Sequence, residues 1–241
     1  MISTGRAMSD VEDLKKMAGI EACKFVKNGM KVGLGTGSTV KYTILELGRR
    51  VSEEGLDIVG VPTSIATEKL ALEVGIKLVE LSDIDGLDVV IDGADEFDVN
   101  FQLIKGGGAA LLREKIVAQQ SKSMVVVADD RKKVATLGMF PLPIEITRFS
   151  HISTINQISR LLDCEVNLRM EDGAPKITDN GNFLADAITG ATILDPIKCE
   201  SDILNIAGVV QVGLFNNMCD AVILAGSDGI ESLYNPSGNL V

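Results

Sequence analysis

The four cysteines of this 241-residue chain, Cys23, Cys164, Cys199 and Cys219, stand far apart with no CxxC pair, and histidine occurs once, at His151. Such spacing offers neither a zinc ligand set nor a disulfide framework. The thiols and the imidazole therefore read as structural or incidental, and the chain fits a reducing cytoplasm. Basic residues are in deficit: 23 Lys and Arg against 34 Asp and Glu leave a formal net charge of -11. With no long block of like charge, a broad footprint for nucleic acid or an anionic membrane is excluded. Any anionic ligand must be held by local groups. Long apolar runs are missing too; MVVVA at residues 124–128 falls far short of the roughly 18 residues that a spanning helix needs. The opening MISTGRA carries one arginine and no apolar core of signal-peptide length, and a second methionine follows at Met8. It reads as an extension rather than a targeting segment. Neither an internal repeat nor a low-complexity tract is present.

Against these absences, 46% of the residues are hydrophobic and 24 are glycine, enough for one full core and a second, smaller one. Ser9 and Glu12 have capping-box spacing, and Leu14, Ala18 and Phe25 follow near the helical period. MKVGLG (30–35) predicts a strand, Val40, Ile44, Leu47 and Val51 mark one face of a helix, and DIVGVP (57–62) returns to strand. IATEKLALEV then reads as helix, KLVEL and LDVVID as strands, ALLREKIVAQQ as helix and MVVVAD as a buried strand. Such alternation implies a mostly parallel sheet covered by helices on both sides. The pattern changes at FPLPIEI (140–146), whose two prolines predict a hinge. Strand IEI, helix ISTINQISRLL, strand EVNLRM, strand NFLADAI, helix IKCESDILNI and strand GVVQVGLF give β-α-β-β-α-β, the split ferredoxin-like order. DNGN (179–182) supplies the turn between the middle strands. ADAVILAG then rejoins the first sheet. The expected architecture is α/β: a Rossmann-like parallel-sheet domain over 1–141, completed by 217–241, with a smaller ferredoxin-like α+β domain over 142–216.

Ligands of an open parallel sheet bind outside the carboxyl ends of its strands, and four unusual segments fall there. In GLGTGSTV (33–40) glycines admit a ligand to the backbone, Ser38 and Thr39 supply hydroxyls, and the following helix offers free amides at its positive end. The segment suits phosphate or is an ordinary tight turn. It lacks the Walker lysine, and Thr39 and Val40 stand where a GxGxxG motif needs glycine, so a nucleotide fits poorly. DGADEFD (92–98) packs four acids behind a buried strand. A solvated turn or a divalent-metal loop is the plain alternative, but EF-hand spacing is absent. Asp92, on the strand end itself, needs a partner, and a lysine such as Lys105 would serve.

Lys105 opens KGGGAALLREK, where three glycines before a helix expose amide donors for an oxyanion, beside a full positive charge. Glu114 shares a helical stripe with Ala110 and Ala118, flanked by Val117, which takes its carboxylate off the wet face. Desolvation raises a carboxyl pKa, the usual way to bring a general base toward neutrality. The alternative is an exposed glutamate paired with Arg113 or Lys115. Lys132, in VVVADDRKK, is either a surface turn residue or a second cation for the anion.

Taken together, GTGST, DGADE, KGGGAALLREK and TDNGN resemble type A ribose-5-phosphate isomerases, in order and at matching separations from about residue 9 to residue 226. The resemblance implies interconversion of ribose 5-phosphate and ribulose 5-phosphate in the non-oxidative pentose phosphate pathway, with no cofactor and no metal. It implies substrate contacts from Thr36, Gly37, Ser38 and Thr39, from Asp92, Gly93, Ala94 and Asp95, from Lys105, Gly106, Gly107 and Gly108, and from Lys132. Glu114 matches the proton acceptor, and Lys105, Asp92 and Asp95 join it as catalytic candidates. Lys15 aligns with a lysine sometimes near the phosphate. VPTSIATEKL departs from the serine-rich loop of some relatives. The partners expected are a sugar phosphate and further copies of the chain, since the resemblance and a mean hydropathy of +0.24 favour a homodimer or homotetramer. Two rivals stay open: a sugar-phosphate sensor, which has no need of Glu114, and a different enzyme of related fold, such as a sugar-phosphate deaminase or a coenzyme A transferase.

Overall fold

The computed structural model describes residues 8–240 and divides the chain into two compact units. The MISTGRA extension and the Ser9 side chain of the expected capping box lie outside the described part; the first helix runs Met8–Ala22.

The first unit comprises the chain to Gly93, Gln120–Arg131 and the chain from Asp220. Its seven-stranded sheet has the order Gly229–Tyr234, Ala221–Gly226, Met124–Asp129, Val89–Gly93, Lys31–Leu34, Val59–Pro62, Lys77–Leu78. All neighbours are parallel except the first pair, which gives the expected Rossmann-like sheet. Every residue of Met124–Asp129 is buried, as a strand covered on both faces requires. Helix Val40–Glu54 buries Val40, Thr43, Ile44 and Leu47 along one stripe and stops at Gly55, whose left-handed φ of 71° closes the last turn onto the Arg50 carbonyl. Gly229–Tyr234 was not anticipated; it adds an antiparallel edge strand after a tight turn.

The second unit comprises Ala94–Gln119 and Lys132–Cys219. Its four-stranded antiparallel sheet, in the order Val209–Val212, Leu142–Ile146, Phe183–Ala187, Val166–Leu168, carries helices His151–Leu162 and Pro196–Leu204 between its strands. That is the predicted ferredoxin-like arrangement. Three local expectations change. The FPLPIEI hinge is instead largely a strand, with all of Leu142–Ile146 buried. Pro143, near its start, has no amide to donate, and its carbonyl accepts the Gly213 amide at 2.7 Å. DNGN turns the chain just before Phe183, but a second small hairpin, Met170–Glu171 with Ala174–Pro175, precedes it, reversing at Asp172 and Gly173 with positive φ.

The third change concerns the domain boundary. Residues 94–119 and 132–141, expected in the larger domain, belong to the smaller unit. Strands Glu96–Phe97 and Leu103–Ile104 form a three-stranded sheet with Leu214–Phe215. Helix Leu111–Gln119 is tied down by Lys115, whose ammonium meets Glu200 Oε1 at 2.5 Å, Gln211 Oε1 at 2.9 Å and the Val212 carbonyl at 2.7 Å. Pairs of two-residue strands leave no periodic trace, so this attachment is invisible in the hydrophobic pattern.

All four cysteines are free thiols. Burial pushes Cys23 up to about 12 and Cys199 up to about 11, values that keep both protonated and inert. Among the described residues no helix is long and apolar enough to cross a membrane.

Lys115 is 2% exposed, and burial pulls its pKa down while Glu200 opposes the shift. Removing one member of such a pair strands the other charge, so Lys115→Ala is expected to lower the unfolding free energy by about 3–5 kcal/mol. Urea denaturation measures this; a loss below about 1 kcal/mol would class the pair with weak surface contacts.

Candidate active site

Two clusters of polar groups form, one within each unit. In the first unit, the loop after Lys31–Leu34 is shaped by steric exclusion. A Cβ on Gly35 would lie 2.2 Å from Asp92 Oδ1 and 2.6 Å from Asp92 Cα, so only glycine lets the two strand ends sit side by side. Asp92 is fully buried, and its Oδ1 accepts the Thr36 amide at 3.0 Å and the Gly93 amide at 2.8 Å. Two backbone amides of its own unit thus hold one oxygen of this carboxylate.

The Thr36 hydroxyl lies 2.7 Å from Thr63 Oγ1, 2.9 Å from Ser64 Oγ and 3.3 Å from Thr67 Oγ1. Ser64 also caps helix Ile65–Glu73 by accepting the Thr67 amide, and the Thr67 hydroxyl donates to the Gly35 carbonyl at 2.8 Å. This hydroxyl cluster uses up the Thr36 side chain and fixes the loop. VPTSIATEKL, noted only as a departure from relatives, is the segment that supplies it.

Past Thr36, Gly37 has φ +128°, and Thr39 caps helix Val40–Glu54 without a side-chain hydrogen bond. The helix thus offers its N-terminal dipole and first amides, with the hydroxyls of Ser38 and Thr39 beside them, the features of an anion site. Lys15 is engaged by Glu12 at 2.6 Å. The Tyr42 hydroxyl holds the other oxygen of the same glutamate at 2.8 Å. These two contacts keep the Glu12 carboxyl below the usual carboxylate range.

In the second unit, Glu114 stands in the first turn of helix Leu111–Gln119 and is 4% exposed. Lys105, 2% exposed, places its ammonium 3.4 Å from Glu114 Oε1 and 5.2 Å from the centre of the Phe215 ring. The alternative partners of Glu114 are engaged elsewhere: Lys115 with Glu200, and Arg113 with Asn180 Oδ1 at 2.9 Å and the Asp179 carbonyl at 2.9 Å. Asp95 Oδ2 accepts the Gly107 amide at 2.7 Å, and a Cβ on Gly107 would come within 2.5 Å of Asp95 Oδ1. Gly106 has φ +110°, which makes the loop from Lys105 to Gly108 a second place where glycine is obligatory.

The other acids of DGADEFD build structure. Glu96 accepts the amides of Gly138 at 2.8 Å and Phe140 at 2.5 Å. Asp98 Oδ1 accepts those of Asn100 and Gln102, both at 2.9 Å. Lys132 is half-buried with its ammonium 5.7 Å from the centre of the Phe140 ring. Thr36, Gly37, Ser38, Thr39, Asp92 and Gly93 therefore lie in the first unit, and Ala94, Asp95, Lys105, Gly106, Gly107, Gly108, Glu114 and Lys132 in the second.

One supporting group escaped the sequence. Glu145, fully buried, accepts at Oε1 from Thr178 Oγ1 at 3.0 Å, Asn180 Nδ2 at 3.2 Å and Asn182 Nδ2 at 2.8 Å. The TDNGN turn is thus pinned from inside while Arg113, the neighbour of Glu114, grips it from the helix. No periodic signal could have marked it: Thr178, Asn180 and Asn182 sit in a tight turn, closed by the Gly181 amide on the Thr178 carbonyl at 2.9 Å, where strand alternation does not apply.

Residues 59–229 match the family described as Ribose 5-phosphate isomerase A (phosphoriboisomerase A). The chain is 52% identical over 219 residues to a Ribose-5-phosphate isomerase A of Bacillus mycoides, covering 91% of this chain and 98% of that protein. Two solved structures are similar. That of ribose 5-phosphate isomerase A from Methanocaldococcus jannaschii has a TM-score of 0.88 at 41% identity, covering 92% of this chain and 99% of the other. A D-ribose-5-phosphate isomerase in complex with phospho-erythronic acid has a TM-score of 0.90 at 41% identity, covering 93% and 99%.

The crowding at Gly35 makes a direct prediction. Gly35→Ala is expected to destabilise by about 1–3 kcal/mol, seen as a lower Tm. Gly93→Ala, whose Cβ would find nothing nearer than 3.7 Å, should melt close to the parent. Equal melting of the two variants would remove the steric argument.

Proposed function

This chain belongs to the ribose 5-phosphate isomerase A family, and on that premise we propose how its residues divide the isomerisation between them. The reaction interconverts D-ribose 5-phosphate and D-ribulose 5-phosphate through an enediolate. Family membership removes the sensor, deaminase and coenzyme A transferase readings.

Glu114 is the base. In the aldose-to-ketose direction its carboxylate takes the proton from C2 of the open-chain sugar. The C–H electrons form the C1–C2 double bond, and the C1 carbonyl oxygen becomes an oxyanion. That oxygen gains a proton as the C2 hydroxyl loses one, and Glu114 returns its proton to C1. One carboxylate serves both carbon steps, and no external oxidant or reductant is needed. Triosephosphate isomerase, a worked example of this chemistry, likewise pairs a glutamate base with a separate electrophile. Here the electrophile is Lys105 with the glycine loop that follows it, which holds the oxyanion by charge and by amide donors.

Asp95, partly exposed and joined to the glycine loop through Gly107, exchanges the oxygen protons and assists ring opening. Asp92, the other candidate, has Oδ1 committed to two amides and anchors the loop that carries Ser38 and Thr39. Those two residues, with Gly37 and the helix amides, take the phosphate. The observation that carries this assignment is the Lys105–Glu114 pair: a carboxylate and an ammonium, both almost wholly buried and 3.4 Å apart. Burying two charges costs more than a surface pair returns, an expense that chemistry explains better than stability does.

The free thiols fit a cytoplasmic setting. Large apolar side chains left open on the surface, Phe149 at 89% and Leu194 at 85% exposure, fit a homodimer or homotetramer.

Glu114→Gln should lower kcat by about 10²- to 10⁴-fold with KM nearly kept and stop exchange of solvent deuterium into the sugar at C2. Wild-type turnover in that variant would dismiss Glu114 as the base. Independently, Ser38→Ala combined with Thr39→Ala should weaken inhibition by inorganic phosphate; an unchanged inhibition constant would move the phosphate elsewhere.

A further inference from the structure

The glycine loop following Lys105 is gripped from behind by a residue that the reaction does not otherwise use. Arg169 lies between strands Val166–Leu168 and Met170–Glu171. Its Nη1 donates to the carbonyls of Gly106 at 2.9 Å and Gly107 at 3.1 Å. Its other face meets both oxygens of Asp186, through Nε at 2.8 Å and through Nη2. Asp186 is on Phe183–Ala187, an inner strand of the four-stranded sheet, opposite Pro143 and Asn167. The planar fork is therefore fixed on a rigid element before it reaches the loop.

A trans peptide points its N–H away from its own C=O. With the Gly106 and Gly107 carbonyls both drawn onto one nitrogen, the next amides, those of Gly107 and Gly108, are turned to the side away from Arg169. The Gly107 amide confirms that direction by donating to Asp95 Oδ2 at 2.7 Å. Without the arginine, a run of three glycines has every reason to rotate, since each peptide can flip at little steric cost.

We propose that Arg169, held by Asp186, is a positioning residue that aims the Gly108 amide for the enediolate oxyanion while the Gly107 amide stays on Asp95. It never touches the sugar. The role rests on the reading that this loop holds the oxyanion, and it predicts an effect on the transition state larger than that on substrate binding.

The test compares wild type, Arg169→Met, Arg169→Lys and Asp186→Asn by kcat and KM for ribose 5-phosphate and by the inhibition constant of phospho-erythronic acid. The carboxylate of that acid is planar and anionic about a trigonal carbon, as each oxygen-bearing carbon of the enediolate is. Arg169→Met should lose about 10- to 100-fold in kcat, short of the loss of a whole oxyanion donor, with KM within about twofold. The inhibition constant should rise by a similar factor, so the preference for the mimic over the substrate collapses. Arg169→Lys, able to hold one carbonyl at a time, should fall between. A purely structural arginine would lower the folded, active fraction and leave the ratio of inhibition constant to KM unchanged; that result overturns the proposal. If Arg169→Met does not fold, Asp186→Asn is read by the same ratio, a raised value supporting the role and an unchanged one overturning it. Wild type binding the mimic no better than the substrate would defeat the oxyanion reading itself, and the proposal with it. A preference kept intact in all variants would defeat the positioning role alone.

Discussion

Two opposite charges out of water, Lys105 against Glu114, set the terms for the second unit. Neither could be buried alone, and their attraction repays desolvation only if the geometry is held. Helix Leu111–Gln119 must therefore stay where it is, and so must the short strand that ends at Ile104. The helix is fastened by Lys115 on Glu200 and by Arg113 on the TDNGN turn, which Glu145 secures from within. The strand is fastened by pairing with Leu214–Phe215 and by the Lys105 amide on the Gly213 carbonyl at 2.8 Å. What looks like a catalytic dyad is the end point of several structural bonds.

The first unit solves a different problem, that of bringing two strand ends side by side at the start of a helix. It does so with close approach and hydroxyls rather than with charge. Gly35 lets Asp92 come alongside, Asp92 takes the amides of Thr36 and Gly93, and Thr36, Thr63, Ser64 and Thr67 satisfy one another. In a chain of net charge -11, the phosphate site proposed there relies on dipoles where cations are scarce.

Most of the architecture was legible because long buried strands and amphipathic helices leave strong periodic signals; Met124–Asp129 and Val40–Glu54 are examples. The ferredoxin-like order could be read for the same reason. What could not be read were elements too short to have a period, such as Glu96–Phe97 and Leu103–Ile104, and with them the attachment of residues 94–119 to the smaller unit. The burial of Glu114 followed from its helical stripe, whereas its partner Lys105 did not, because contact between a loop lysine and a helix residue nine positions later has no signature. The support from Arg169, Glu145 and the Thr63 to Thr67 hydroxyls was hidden more deeply still. Isolated polar residues reveal a role only through partners that the fold brings to them.

Phe215 carries a burden out of proportion to its position in a two-residue strand. Its ring centre lies 5.2 Å from the Lys105 ammonium and 5.0 Å from that of Lys115, so one aromatic quadrupole attracts two cations with separate duties. An aliphatic replacement could match the volume yet would give up both attractions at once. Only an aromatic ring keeps both contacts, so a residue that would otherwise pass as filler holds two ammonium groups in place.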